Sequence, residues 1–194
     1  MGVIFGVGNN DADYPVRAKD SKCPYFIKWM GMMSRCYGGY DTWKSYVGCV
    51  VCDEWLTFSI FKAWMETQDW EGKVLDKDIL GSGKLYSPET CVFVTQKQNN
   101  FLLTSGGGRG KYPLGCHFHK QDRKFRVECH DPRTGKQTYY GSFEDPQEAH
   151  EVWREKKLGF VDYAFSDCPD NIREAVKGRY RGSYDDPYYK LKNN

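Results

Sequence analysis

Between Lys73 and Phe101 the chain reads KVLDKDILGSGKLYSPETCVFVTQKQNNF, and Asp76, Lys77 and Asp78 bring two carboxylates and an ammonium together where a short apolar strand ends. Asn99 follows after a second apolar stretch, CVFV. Carboxylate and amide oxygens are hard donors, and a set of them suits a hard divalent cation such as Mg²⁺ or Mn²⁺. Asp and Asn are also common turn residues, so the pattern alone leaves a structural role open.

A second set of candidates lies in three alternating segments, YPLGCHFH (112–119), KFRVECHD (124–131) and KQTYYGSF (136–143). Alternation with a period of two predicts strands, with Cys116, Phe118, Phe125 and Val127 on one face and His117, His119, Arg126, Glu128 and His130 on the other. The connections, Lys120 to Arg123 and Pro132 to Gly135, are short enough for hairpins. EDPQEAHEVWREKK then predicts a helix whose Ala149, Val152 and Trp153 pack on the sheet, giving a domain of about 55 residues that can fold alone. Charge follows this division. Although 28 Lys and Arg against 26 Asp and Glu leave a net of only +2, residues 1–104 hold 11 basic and 12 acidic side chains, whereas 105–143 hold 8 and 3. A short basic segment of this kind attracts phosphate through counterion release.

Of eight cysteines, only Cys49 and Cys52 have metal-ligand spacing, and Cys36 and Cys91 are the nearest candidates to complete a structural Zn²⁺ site. A single C-x-x-C inside the apolar run 47–52 fits core packing better, so the thiols are expected to be reduced and buried. TSGGGRGK (104–111) reads as a flexible linker. A phosphate loop there would need Gly at position 105 and Ser or Thr after Lys111, but the chain has Ser105 and Tyr112, so no nucleotide cofactor is expected.

The elements that must position these residues are rich in rings, with 16% aromatic residues. In YFIKWMGMMSRCY (25–37), Phe26, Trp29, Met30, Met33 and Tyr37 recur at helical spacing. In DEWLTFSIFKAWME (53–66), Trp55, Phe58, Phe61, Trp64 and Met65 do the same, with Asp53 as the expected N-cap. The end of the chain, 166–194, reads as a polar tail with a helical turn over 171–177. Apolar content of 40% and a mean hydropathy of −0.72 leave no span of about 18 apolar residues, so no membrane partner is expected. Without a secretory signal at the N-terminus the protein is expected in the cytoplasm. The fold class predicted is α+β.

Gly115, KFRVECHDP (124–132), YYGSF (139–143) and EDPQEAHEVW (144–153) together resemble the APETALA2/ethylene-response-factor DNA-binding domain, whose three-stranded sheet lies in the major groove of duplex DNA. The resemblance implies base contacts from His117, His119, Glu128, His130, Gln137 and Tyr139, and phosphate contacts from Lys120, Arg123, Lys124 and Arg126. Several arginines of that family are His or Gln here. Residues 25–103 resemble the HNH (His-Me finger) endonucleases of bacteriophages, through KWMGMMSRCY (28–37), VVCDEWLTFSIFKAWM (50–65), LDKDIL (75–80), YSPETCVFV (86–94) and Asn99.

That second resemblance implies a ββα-metal fold in which Asp76 and Asn99 hold the metal, with Lys77 in the place of the water-activating histidine and Asp78 beside it as a further catalytic candidate. The implied organisation is an N-terminal extension (1–24), an HNH-like nuclease domain (25–104), a Gly-rich linker (105–111), an APETALA2-like domain (112–165) and a tail (166–194). The implied function is metal-dependent hydrolysis of phosphodiester bonds in double-stranded DNA by an endonuclease or nickase of phage or homing type. The alternative is a regulatory or architectural DNA-binding protein whose HNH-like domain is inactive, because a lysine of ordinary pKa cannot accept a proton from water.

Overall fold

A hairpin of short strands, β1 (Gly2–Ile4) antiparallel to β2 (Gly8–Asn10), opens the chain. Gly8 is closely packed: a Cβ there would come within 2.8 Å of the Met33 terminal methyl and 3.1 Å of Trp29, so a larger residue would require the Met33 side chain to shift. The computed structural model describes residues 2–17, 23–39, 46–81, 83–103 and 112–181. The chain divides into two compact units, 1–96 and 97–194. Most of the segment read as a linker lies outside the described residues. No described helix is long and apolar enough to cross a membrane.

The first unit is built on rings. Helix α1 (Pro24–Tyr37) starts with Pro24 at its first turn, where the missing N–H costs nothing. It buries Phe26, Trp29, Met32 and Met33, while Met30 and Tyr37 are only half-buried. A 3₁₀ turn (Glu54–Leu56) precedes α2 (Phe58–Glu66), which buries Phe58, Phe61 and Met65. Asp53 therefore does not cap this helix: it stands before the 3₁₀ turn with helical angles (φ −58°, ψ −38°) and makes no capping bond. Thr57, at the true N-cap, makes none either. Asp11, 48 residues away in sequence, accepts the Ser59 N–H at 2.9 Å and so satisfies one of the exposed amides of the first turn. The residues read as an N-terminal extension are thus part of the unit, and Val16 joins its core. In that core the Trp29 indole donates to the Trp55 carbonyl at 2.7 Å. Phe26 meets Phe58, and Trp55 meets Phe61, edge to face at 5.2 and 5.1 Å.

Around these helices the strands are short. β3 (Val50–Val51) runs parallel to β5 (Leu85–Tyr86), and β4 (Val74–Asp76) runs antiparallel to β6 (Val92–Val94) with Asp76 opposite Val92. Helix α3 (Gln96–Leu102) follows β6 in the chain. The division between the units falls at its first residue.

In the second unit β7 (Cys116–His119), β8 (Lys124–Asp131) and β9 (Lys136–Phe143) form a sheet in the order β7-β8-β9, antiparallel throughout. Helix α4 (Pro146–Ala164) is capped by the Asp145 carboxylate, which accepts the Gln147 N–H at 2.9 Å. It buries Ala149, His150, Trp153, Lys157, Phe160 and Val161, and it packs on the face of the sheet that carries the buried Phe125, Val127 and Cys129. Gly115 (φ +76°) lies so close to Trp153 that a Cβ would fall 1.9 Å from the indole. Part of the expected tail is instead α5 (Asp170–Arg181), which buries Ile172, Val176 and Tyr180 and lies along α4. α3 is fastened to the end of α4, where the Gln98 amide donates to the Ala164 carbonyl at 3.2 Å and to Asp167 at 2.6 Å. Residues 97–103, expected with the nuclease segment, thus belong to this unit.

Candidate functional site

Asp76 ends β4 nearly buried, at 8% exposure, and its Oδ1 accepts the N–H groups of Asp78 (2.7 Å) and Ile79 (2.9 Å). Those two bonds fold the chain tightly after the strand and set the carboxylate's orientation. Lys77 is 6% exposed, and its Nζ donates to Asp78 Oδ1 at 2.9 Å. The ammonium also sits 5.1 Å from the ring centre of Tyr46 and 5.6 Å from that of Tyr86. Burial pulls the Lys77 pKa down, but the Asp78 carboxylate and its hydrogen bond outweigh this, and the net direction is upward. Lys77 is thus held as the charged ammonium at neutral pH. It can stabilise negative charge but cannot take a proton from water. Asp78 is about half exposed and has its carboxylate against Gly83, where a Cβ would fall 2.4 Å from Oδ1.

Three residues of this cluster carried no sequence signal of function: Arg35, Tyr46 and Tyr86. The Arg35 Nε donates to the Tyr86 hydroxyl at 3.0 Å, and its guanidinium lies 5.6 and 5.7 Å from the Tyr46 and Tyr86 rings. Two cations therefore share the same pair of tyrosines. The Tyr86 hydroxyl stays protonated, because burial raises its pKa strongly. Only the position of a lone arginine in the last turn of an apolar helix could have pointed to Arg35.

Asn99 is half-buried on α3, in the second unit. Among the described residues no group of three or more His, Cys, Asp or Glu gathers as a metal site. The cysteines considered for Zn²⁺, Cys36, Cys49, Cys52 and Cys91, are all free thiols. Burial pushes Cys36 up to about 11 and Cys91 up to about 12, so both are neutral at pH 7.

In the second unit the register of the sheet sorts its side chains. On β8, Phe125, Val127, Cys129 and Asp131 are buried, whereas Lys124, Arg126, Glu128 and His130 lie on the other face. Residues directly opposite across strands share a face, so His117 joins Arg126, His119 joins Lys124, Tyr139 joins Glu128 and Gln137 joins His130. The structure thus brings eight of the sequence candidates onto one open face, while Lys120 and Arg123 occupy the exposed β7–β8 turn. A bulge at Tyr140, opposite the Val127–Glu128 step, keeps Tyr139 in this row and turns Gly141 toward the helix side. Cys116 and Phe118 share the other face, although Phe118 remains 38% exposed, with Tyr112 and Phe125 beside it.

Carboxylates edge the row. Asp122 in the turn is bonded to Arg126 (Nε at 3.1 Å) and lies 3.1 Å from His119 Nδ1. The Arg126 hydrogen bond holds the Asp122 carboxyl below the usual carboxylate range. Lys124 pairs with Glu144 at 3.7 Å. The fourth histidine, His150, is wholly buried on α4 with Nδ1 2.9 Å from the Leu114 carbonyl, and burial lowers its pKa. No family model, curated protein or solved structure matches this chain.

Proposed function

We propose that this chain is a metal-dependent DNA endonuclease or nickase of the HNH type, in which the first unit does the chemistry and the open sheet face of the second holds duplex DNA. Its main support is the cluster at the end of β4, where a backbone-anchored carboxylate, a buried ammonium and a second, half-exposed carboxylate stand in succession. An antiparallel pair, β4 and β6, followed in the chain by a helix is also the element order of a ββα-metal fold. Mg²⁺ or Mn²⁺ would fall to Asp76, since its oxygens are hard donors and Mg²⁺ commonly binds one or two carboxylates while phosphate and water complete its shell. When bound, such an ion would polarise the phosphoryl group and lower the pKa of water. Lys77 would stabilise charge developing on the phosphoryl oxygens.

On the sheet, Lys124 and Arg126, with Lys120 and Arg123 at the turn, would meet phosphates, and Tyr139, Gln137, His130 and His117 would meet base edges. A second reading, a DNA-binding protein without cleavage, is favoured by one feature: Lys77 is held as an ammonium where the resembled family has a histidine. Incubating the full chain with supercoiled plasmid separates the two. Conversion to nicked or linear DNA with Mg²⁺ and none with EDTA is expected. Retardation of the plasmid without cleavage in Mg²⁺ or Mn²⁺ would establish the second reading instead.

A further inference from the structure

The first unit carries cations that the sheet-based view of DNA binding does not use. Lys28 and Arg35 lie seven residues apart on α1, on one side of the helix and about 10 Å apart along its axis. Lys28 donates from Nζ to the Lys73 carbonyl, and Arg35 donates from Nε to Tyr86. Neighbouring lysines are neutralised, Lys73 by Asp69 at 2.6 Å and Lys77 by Asp78 at 2.9 Å. Among the described residues neither Lys28 nor Arg35 has a carboxylate within 4.0 Å. The two feel each other instead: burial, then the charge of Arg35, depresses the Lys28 pKa. Two partly buried cations on one side of a helix, with no counter-charge among the described residues, are a cost to the fold that an anion would relieve.

We propose that Lys28 and Arg35 form a phosphate track on the first unit, leading along α1 to Lys77, and that its occupant is the backbone of one strand of duplex DNA. The spacing suits this polyanion, since about 10 Å corresponds to roughly three nucleotide rises along one strand. Arg35 is well made for the end nearest Lys77. Its Nε is fixed on Tyr86 and its guanidinium lies by the rings of Tyr46 and Tyr86, so the group is oriented before DNA arrives. The track rests on the reading of the first unit as acting on DNA, and it means that this unit contributes its own affinity rather than relying on the sheet.

The test measures affinity without cleavage. The full chain is titrated into a short fluorescein-labelled duplex in EDTA over a series of salt concentrations. Lys28→Gln and Arg35→Gln should each weaken binding several-fold and reduce the slope of log K against log salt by about 0.9 for every phosphate that is no longer neutralised. Arg35→Lys should keep the slope, because it keeps the charge. An unchanged slope and affinity in both Gln variants overturns the track, and so does an Arg35→Lys variant whose slope falls as far as that of Arg35→Gln. Plasmid cleavage by the same proteins keeps the two proposals apart. Cleavage by the wild type with unaltered slopes in the variants removes the track alone, a reduced slope without cleavage keeps the track in a protein that only binds DNA, and a wild type that binds no duplex removes both.

Discussion

The cluster at the end of β4 and the open face of the β7–β9 sheet both gather charged side chains, but they hold them in opposite ways. Asp76 and Lys77 are nearly buried and each is fixed by hydrogen bonds to its neighbours. The sheet residues stand half or fully in solvent, and three of them, His119, Lys124 and Arg126, meet exposed carboxylates at the edge. A buried, fixed group acts at short range in a low dielectric and loses little by reorganising, whereas an exposed one contributes mainly through counterion release and is screened by salt. In the function proposed above, this difference suits the first region to chemistry and the second to affinity, with Lys28 and Arg35 as an intermediate case.

The sharpest break of that contrast is at Lys77. Lys77→Ala should lower cleavage by about 10²–10³-fold, the usual loss when one preorganised charge stabiliser is removed, while duplex affinity in EDTA changes little. Lys77→Arg should keep part of the activity, since a stabilising cation needs charge and not proton exchange. On the sheet the expected effects appear in binding. Arg126→Ala should weaken affinity for all sequences alike and reduce the salt slope by about 0.9, and Asp122→Asn, which frees Arg126 and His119 from their shared carboxylate, should tighten it. Anisotropy titrations over a salt series would show both. If Arg126→Ala altered cleavage without altering affinity, the division of labour would fail.

A smaller effect belongs to stability. Lys157 is buried under the Phe101 ring, 3.5 Å from its centre, and donates to the Phe101 carbonyl at 2.6 Å. Burial lowers its pKa to about 8, against the opposing influence of Cys129, with Arg179 adding to the depression. The folded chain therefore binds fewer protons here than the unfolded chain between pH 8 and the ordinary lysine range near 10.4, so stability should rise with pH through that window. The thiols of Cys36, Cys52, Cys91, Cys116 and Cys129, whose pKa values burial raises, have the opposite sign from about pH 8 upward. The Lys157 effect is therefore read as a difference between proteins: from pH 8 to 9 the stability of the wild type relative to Lys157→Met should increase by about 1 kcal/mol, because the thiols titrate alike in both. Smaller still is Asp11→Ala, which uncaps α2 and should destabilise the first unit by about 1 kcal/mol or less in denaturant melts.

Much of this architecture was legible where pattern is local. The alternation in KFRVECHD assigned both faces of β8, because a strand's side chains repeat every two residues whatever they pack on. The carboxylates at the end of β4 were visible for the same reason. What escaped was set by contacts distant in sequence. Asp53 looked like a helix cap, but the chain makes a 3₁₀ turn first and the bond comes from Asp11. Met32 rather than Met30 fills the core beneath α1. The helical turn read over 171–177 proved to be the middle of α5 (Asp170–Arg181), whose Ile172, Val176 and Tyr180 were too sparse to mark its full length until α4 gave them a surface. The tyrosines around Lys77 arrive from two separate segments, and no spacing rule reveals such a cage.

The central claim is that the cluster around Asp76 hydrolyses DNA, and Asp76→Asn tests it most directly. Asparagine keeps a carbonyl oxygen to accept the Asp78 and Ile79 amides, so the turn should survive while the negative charge is lost. Supercoiled plasmid is incubated with wild type and variant in Mg²⁺, at concentrations giving equal occupancy of a labelled duplex. Nicking or linearisation by the wild type and none by Asp76→Asn is the predicted result. Equal cleavage by the two proteins would contradict it and remove the active centre from this strand end.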